Sequence, residues 1–199
     1  MIVAIRGSWI MGAAAAGLVA LTSAPALAAT ELVVNGGFER GSFDGWMPTG
    51  EPVFDEVLCA PGSGEIFAGS CSAFFGSSPV SSIAQTIAVG GAGLTYNLSF
   101  AFRADGIPDS SFTVMFGGQT LLSQSPPAAG GYQLYQYSGL TTGNTMTLSF
   151  SFNDPTSSMW LDAVSVTAVP EPTTLGLMAA GLVGLVAVSR RREAATRRT

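Results

Sequence analysis

The 199-residue chain has no histidine and no lysine, only two cysteines, and charge on just 11% of its residues. Without histidine the usual proton shuttle and the commonest metal ligand are missing, which excludes Ser-His-Asp triads, Cys-His pairs and histidine-based zinc sites. Without lysine, Schiff-base chemistry and a lysine general base are excluded too. All eight basic residues are arginine. Carboxylate pairs alone can hydrolyse glycosides, but the acids sit in short loops and strand ends with no motif around them. The chain is therefore read as non-catalytic.

Apolar residues make up 47% of the sequence and are concentrated at its two ends. Residues 1–29 carry one charge, Arg6, then an uncharged stretch from Gly7 to Leu21, then small residues at Ala26 and Ala28. That order predicts a secretory signal peptide cut after Ala28 or Ala29. A retained anchor is the alternative, and the apolar stretch is shorter than the roughly 20 residues a span needs. At the other end, residues 173–189 are uncharged and are followed at once by Arg190, Arg191 and Arg192. Their length is the lower limit for a spanning helix, and the arginines would hold its C-terminal end in the cytoplasm. Just ahead stand Val169, Pro170, Glu171 and Pro172, whose two prolines deny helix and sheet pairing and leave an extended, protease-accessible segment.

The order of Pro-Glu-Pro motif, short apolar helix and arginine cluster over 169–199 resembles the PEP-CTERM sorting signal of Gram-negative bacteria that make extracellular polysaccharide. The resemblance implies export through the general secretion machinery and removal of the tail by a membrane-embedded exosortase. It also implies delivery of the body to the cell envelope, cell surface or extracellular matrix. Such tails also carry the label of an ice-binding protein C-terminal region, which is a name and not an activity. An ordinary tail anchor is the alternative.

Between these ends lies a body of residues 30–168, the size of one domain. Its eleven acids against Arg40 and Arg103 leave a formal charge of −9, which repels nucleic acid and anionic membranes. Period-two alternation dominates it. Leu94, Tyr96, Leu98, Phe100 and Phe102 fall on one face of a strand, and residues 146–152, 112–116 and 83–89 repeat the pattern. Shorter strands are expected at 31–34, 53–58, 72–75, 132–137 and 160–167, separated by glycine and proline punctuation. Eight or nine short antiparallel strands without a helical period predict an all-β, two-sheet antiparallel sandwich.

The opening phrase, with Asn35, Gly36, Phe38 and Glu39, and the closing phrase, with Leu161, Asp162 and Val164, resemble those of jelly-roll domains in the galactose-binding and carbohydrate-binding-module superfamily. One departure is Ala163, where the pattern has a second Asp. The resemblance implies a jelly-roll fold in which Glu39 and Asp162 come close and share a structural calcium, an ion that takes six to eight oxygen ligands. The alternative is that the two are surface acids or accept hydrogen bonds from loop amides.

Cys59 and Cys71 are an even pair in an exported domain, so a disulfide is expected, cinching a mobile loop over 61–64. Sugar binding calls for aromatic faces beside placed polar groups. Trp46, Tyr135 and Tyr137 are the ligand-binding candidates, with Tyr132, Arg103, Asp105 and Asp109 also available, while Trp46 and Trp160 equally suit the core. Asn97 and Ser99 complete a glycosylation triplet, from which nothing is read because it lies inside a strand. For an ice-binding face, Thr145 and Thr147 are the one Thr-x-Thr pair. The expectation is an exported, non-catalytic surface or matrix protein, sorted by exosortase and associated with exopolysaccharide or biofilm. The alternative is a carbohydrate-binding module with a defined glycan, and behind it stand an ice-binding protein and a glycoside hydrolase.

Overall fold

The computed structural model describes residues 29–50, 55–59, 64–76, 78–88, 94–141, 145–169, 176 and 180–186. The expected signal peptide up to residue 28, Pro170, Glu171 and Pro172 of the sorting motif, and Arg190, Arg191 and Arg192 lie outside them. Of the expected 173–189 span, residues 176 and 180–186 are helical, with Leu182, Val183, Leu185 and Val186 exposed. Among the described residues no helix is long and apolar enough to cross a membrane.

Ten strands are present among the described residues: β1 (Met47–Gly50), β2 (Asp55–Leu58), β3 (Ser72–Phe75), β4 (Ser78–Ala88), β5 (Thr95–Ala104), β6 (Ser111–Phe116), β7 (Gln119–Gln124), β8 (Gln133–Thr141), β9 (Thr145–Asp154) and β10 (Met159–Ala168). All pairings are antiparallel, and they form two five-stranded sheets in the orders β1-β4-β9-β6-β7 and β2-β3-β10-β5-β8. The chain is an all-β jelly-roll sandwich.

Alternation builds the core. Tyr96, Leu98, Phe100 and Phe102 of β5, Phe112, Val114 and Phe116 of β6, and Met146, Leu148, Phe150 and Phe152 of β9 are all buried and turned between the sheets. Ring contacts join the layers: Phe102 stacks on Phe112 at 3.7 Å and Phe75 on Phe152 at 3.6 Å. Fully burying one such side chain contributes roughly 1.5–3 kcal/mol.

Two strands have no signature in the alternation, and one expected strand is replaced. β1 contains Pro48 and Gly50, and β7 is largely polar; both are edge strands, where burial does not impose a pattern. The segment 31–34 makes an isolated bridge, Glu31 to Thr167, instead of a strand. The Glu31 carboxylate is the reason: its Oε1 accepts the amides of Val33 and Val166 in place of ladder bonds and shares the Leu32 amide with Val166 O. The same segment nevertheless covers the free flank of β10, because β3 pairs only with residues 159–161 and Leu32 N–H donates to Val166 O at 2.9 Å.

Bulges interrupt four strands. Leu121 is the extra residue in β7, and β8 sets Ser138 and Gly139 opposite the single Asn97. In β4 residues 79 and 80 face Asn153, and in β10 Ala163 and Val164 face Phe100, with Ala163 at a φ of 51°.

A half-roofed sheet face as the candidate site

Alternation on β10 and β5 turns Trp160, Asp162, Ala101 and Arg103 away from the core, where side chains ordinarily meet water. Yet Asp162 and Ala101 are 0% exposed and Trp160 only 4%. The segment 64–71 covers them. It is tied at one end by the Cys59–Cys71 disulfide, which confirms the expected pairing. Ser72 Oγ donates to Glu65 O at 2.7 Å, Tyr132 Oη donates to the same carbonyl at 2.6 Å, and Arg103 Nη1 donates to Gly64 O at 3.1 Å. Gly64 is thus the described part of the loop expected at 61–64.

Two carboxylates complete the attachment. Asp162 Oδ2 accepts the amides of Phe67 and Ala68, both at 2.9 Å, and Asp162 Oδ1 accepts the amide of Ala163 at 2.6 Å. Glu39 Oε1 accepts the amides of Ser70 at 2.9 Å and Cys71 at 3.1 Å. Burial raises the Asp162 carboxyl above its ordinary value, the amides of Ala68, Ala163 and Phe67 draw it down, and the Glu39 charge adds to the rise. Burial likewise pushes the Tyr132 phenol up.

The residues implied for calcium therefore meet on one loop but do not fit the ion. Three of their four carboxylate oxygens already hold amide hydrogens, against the six to eight oxygen ligands calcium takes. Among the described residues no group of three or more His, Cys, Asp or Glu is placed to hold a metal.

Beside the roof the sheet face is open. Its floor is Asn97, Ser99, Gln136, Ser138, Ser165 and Thr167, brought into neighbouring rows by the pairing of Thr167 with Asn97, Ser165 with Ser99 and Ser99 with Gln136. A hollow of about 280 Å³ is lined by Asn97, Gln136, Tyr137 and Ser138, next to the β8 bulge. The rim of the roof is apolar. Phe67 is 44% exposed with its ring 5.5 Å from that of Tyr132, and Leu134, opposite Ala101 in the register, is 53% exposed. Arg103 is engaged, lying 4.2 Å over the Trp160 ring and 3.9 Å from Asp105. This sheet face thus presents an aromatic edge at the roof and, farther along, two amides and several hydroxyls, uncharged groups of the kind that hold a polyol.

Of the aromatic candidates read from the sequence, Tyr132 stands at the rim of the roof and Tyr137 contributes to the lining of the hollow, while Trp46 and Tyr135 lie elsewhere. Trp46 is 5% exposed, packed 5.9 Å from Phe38 and 6.0 Å from Phe150, with Nε1 donating to Asn35 O, so it is a core residue and not a ligand platform. Tyr135 and Tyr137 share the face opposite Leu134, which is the inner one, where both stack on Phe100 at 5.1 and 6.3 Å. Tyr135 Oη bridges the sandwich mouth, accepting from Gln124 and donating to Gln133. Trp160 is buried too, under the roof and outside the sandwich core. Phe67 and Gln136 carried no sequence signal, and Asn97 was visible only as part of a glycosylation triplet.

Comparison with known proteins agrees with both halves of this description. Residues 168–192 match the PEP-CTERM protein-sorting motif. Among solved structures, the module TmCBM61 in complex with β-1,4-galactotriose is similar to this chain with a TM-score of 0.59 at 15% identity, over 69% of this chain and 97% of that one. A family 16 carbohydrate-binding module-2 gives 0.53 at 16% identity, over 68% and 98%. The enzymatically active domain of tailspike protein 4 from bacteriophage CBA120 gives 0.51 at 14% identity, over 70% of this chain but 21% of that one. No curated protein matches the sequence. The body thus has the fold of carbohydrate-binding modules, and the chain carries a sorting motif where the fold ends.

Proposed function

We propose that the protein is exported, sorted to the cell surface or matrix by an exosortase acting on its tail, and holds extracellular carbohydrate without catalysis on the open part of the β10-β5-β8 face. The observation that carries the reading is that one sheet face presents both an exposed aromatic edge, Phe67 with Tyr132, and a hollow lined by uncharged amides and hydroxyls. Sugar rings offer apolar C–H faces to aromatic groups and hydroxyls to amides, so one ligand satisfies both. The −9 charge of the body keeps acidic nucleic acids away from this face. The sorting motif supports delivery to a polysaccharide-bearing surface, and the module-like fold supports glycan binding, although fold alone does not decide function.

A glycan array probed with the exported protein tests the proposal. Neutral oligosaccharides should be retained, and Phe67→Ala together with Asn97→Ala and Gln136→Ala should lower retention at least tenfold while the melting temperature holds. Retention by the triple variant equal to the parent's would reject the face.

A further inference from the structure

We infer that Glu39 and Asp162 are positioning residues that hold the Phe67 wall by capturing backbone amides, and that this loop is set without a bound cation. The inference rests on the carbohydrate reading only for its effect on ligand; the loop geometry stands by itself. Within the five residues 67–71, four backbone amides point at two carboxylates drawn from opposite ends of the body. The fifth residue, Gly69, has a φ of 73°, and a β-carbon there would collide with the Glu39 carboxylate. The segment therefore curves around the two anions with its N–H groups inward. Side chains on such a curve are turned outward, and Phe67, Ala68 and Ser70 are all exposed. An exposed phenylalanine on a free loop would fold back onto apolar surface. Here the backbone is tied at that residue and just beyond it, by Asp162 at residues 67 and 68 and by Glu39 at 70 and 71.

The amide clamp and an ion would compete for the same oxygens. Calcium drawn to Oδ2 of Asp162 and Oε1 of Glu39 would displace the hydrogen bonds that shape the loop. Asp162, at 0% exposure, takes three amides, and charge-assisted bonds of this kind are about twice as strong as neutral ones. The disulfide at Cys71 closes the segment covalently, one residue from the Ser70 amide.

Hydrogen exchange on the exported protein tests this, read at the amides of Phe67, Ala68, Ser70 and Cys71. Exchange should be slow and should not change when EDTA or millimolar calcium is added. Glu39→Ala should speed exchange at Ser70 and Cys71 at least tenfold, while Glu39→Gln, which keeps an acceptor oxygen at the same reach, should restore most of the protection. Because Asp162→Ala can unfold the body, Gly69→Ala serves as the second variant: it displaces Glu39 and should speed the same two amides. Faster exchange in EDTA, or no change in Glu39→Ala, would overturn the clamp. Glycan retention, read in parallel, should fall in Glu39→Ala and recover in Glu39→Gln. Protection that behaves as expected while no variant or parent retains glycan would overturn the carbohydrate reading and support the clamp.

Discussion

Glu31 and Thr167 face each other across an antiparallel bridge, so the body's first and last residues leave it side by side. The next step toward the tail is also fixed, because Val169 N–H donates to Thr95 O at 2.8 Å. The Pro-Glu-Pro motif at 170–172 therefore begins one residue beyond a hydrogen bond of the folded body, with no spacer between them.

Replacing Pro170, Glu171 and Pro172 by alanine should leave full-length protein in the membrane of a host that carries the exosortase. Immunoblots of membrane and medium fractions read the outcome. Equal release of variant and parent would sink the processing role.

Removing the Glu31 carboxylate should loosen the meeting of the ends. Its oxygens take the amides of Leu32, Val33 and Val166 and the hydroxyl of Ser165. Glu31→Ala should cost about 1–2 kcal/mol in urea unfolding, the scale of lost charged hydrogen bonds. A loss below a few tenths of a kcal/mol would show that the bonds from Leu32 N–H to Val166 O and from Val164 N–H to Gly36 O, both 2.9 Å, hold β10 unaided.

Cys59→Ser with Cys71→Ser should destabilise the body by roughly 3 kcal/mol, the loop-entropy figure for a closed segment near this size. Mass spectrometry of unreduced, exported protein should show the two-hydrogen deficit. Alkylation of both thiols without prior reduction would contradict the bond.

Asp154 gives a pH dependence of known sign. Burial holds its carboxyl above the ordinary 3.8, the amides of Ser157 and Thr156 draw it down, and Asp105 adds to the rise. A carboxyl with a raised folded value contributes stability that is fully present below the unfolded value and is lost as pH rises through the folded one. Asp154→Asn, which keeps an acceptor for the Ser157 amide, should remove this part of the decline that sets in as pH rises above the ordinary 3.8. Parallel stability curves for variant and parent would refute it.

The core was legible wherever burial falls on one face. Phe100, Phe112 and Phe150 announced β5, β6 and β9 because a half-buried strand alternates whatever its neighbours are. Pro48 and Gln119 hid β1 and β7, since an edge strand has no second partner to impose the pattern. The site was less legible. Glu39, Asp162 and the two cysteines were visible as residue types, but their common target was not, because a loop returning across a sheet leaves no period in the sequence. Ala101 and Ser72 occupy outward strand positions and are nevertheless buried. Phe67 stands in a segment without alternation and so looked like an ordinary loop residue. A row of hydroxyls from Thr49 through Ser82, Ser151 and Thr113 to Ser123 runs across the first sheet, one from each strand. A search for Thr-x-Thr along a strand cannot find it, since register alone aligns those five positions.

The bulges bear on behaviour in a crowd. A protein concentrated on a cell surface presents its sheet margins to many copies of itself, and a straight margin with free N–H and C=O groups templates a new strand. Among the described residues the four margins of the two sheets are spoiled for that purpose: β1 is four residues long and holds Pro48, β2 is four residues long, and β7 and β8 are each bent by an inserted residue. None of these margins offers a neighbouring copy a long straight row of free N–H and C=O groups on which to add a strand.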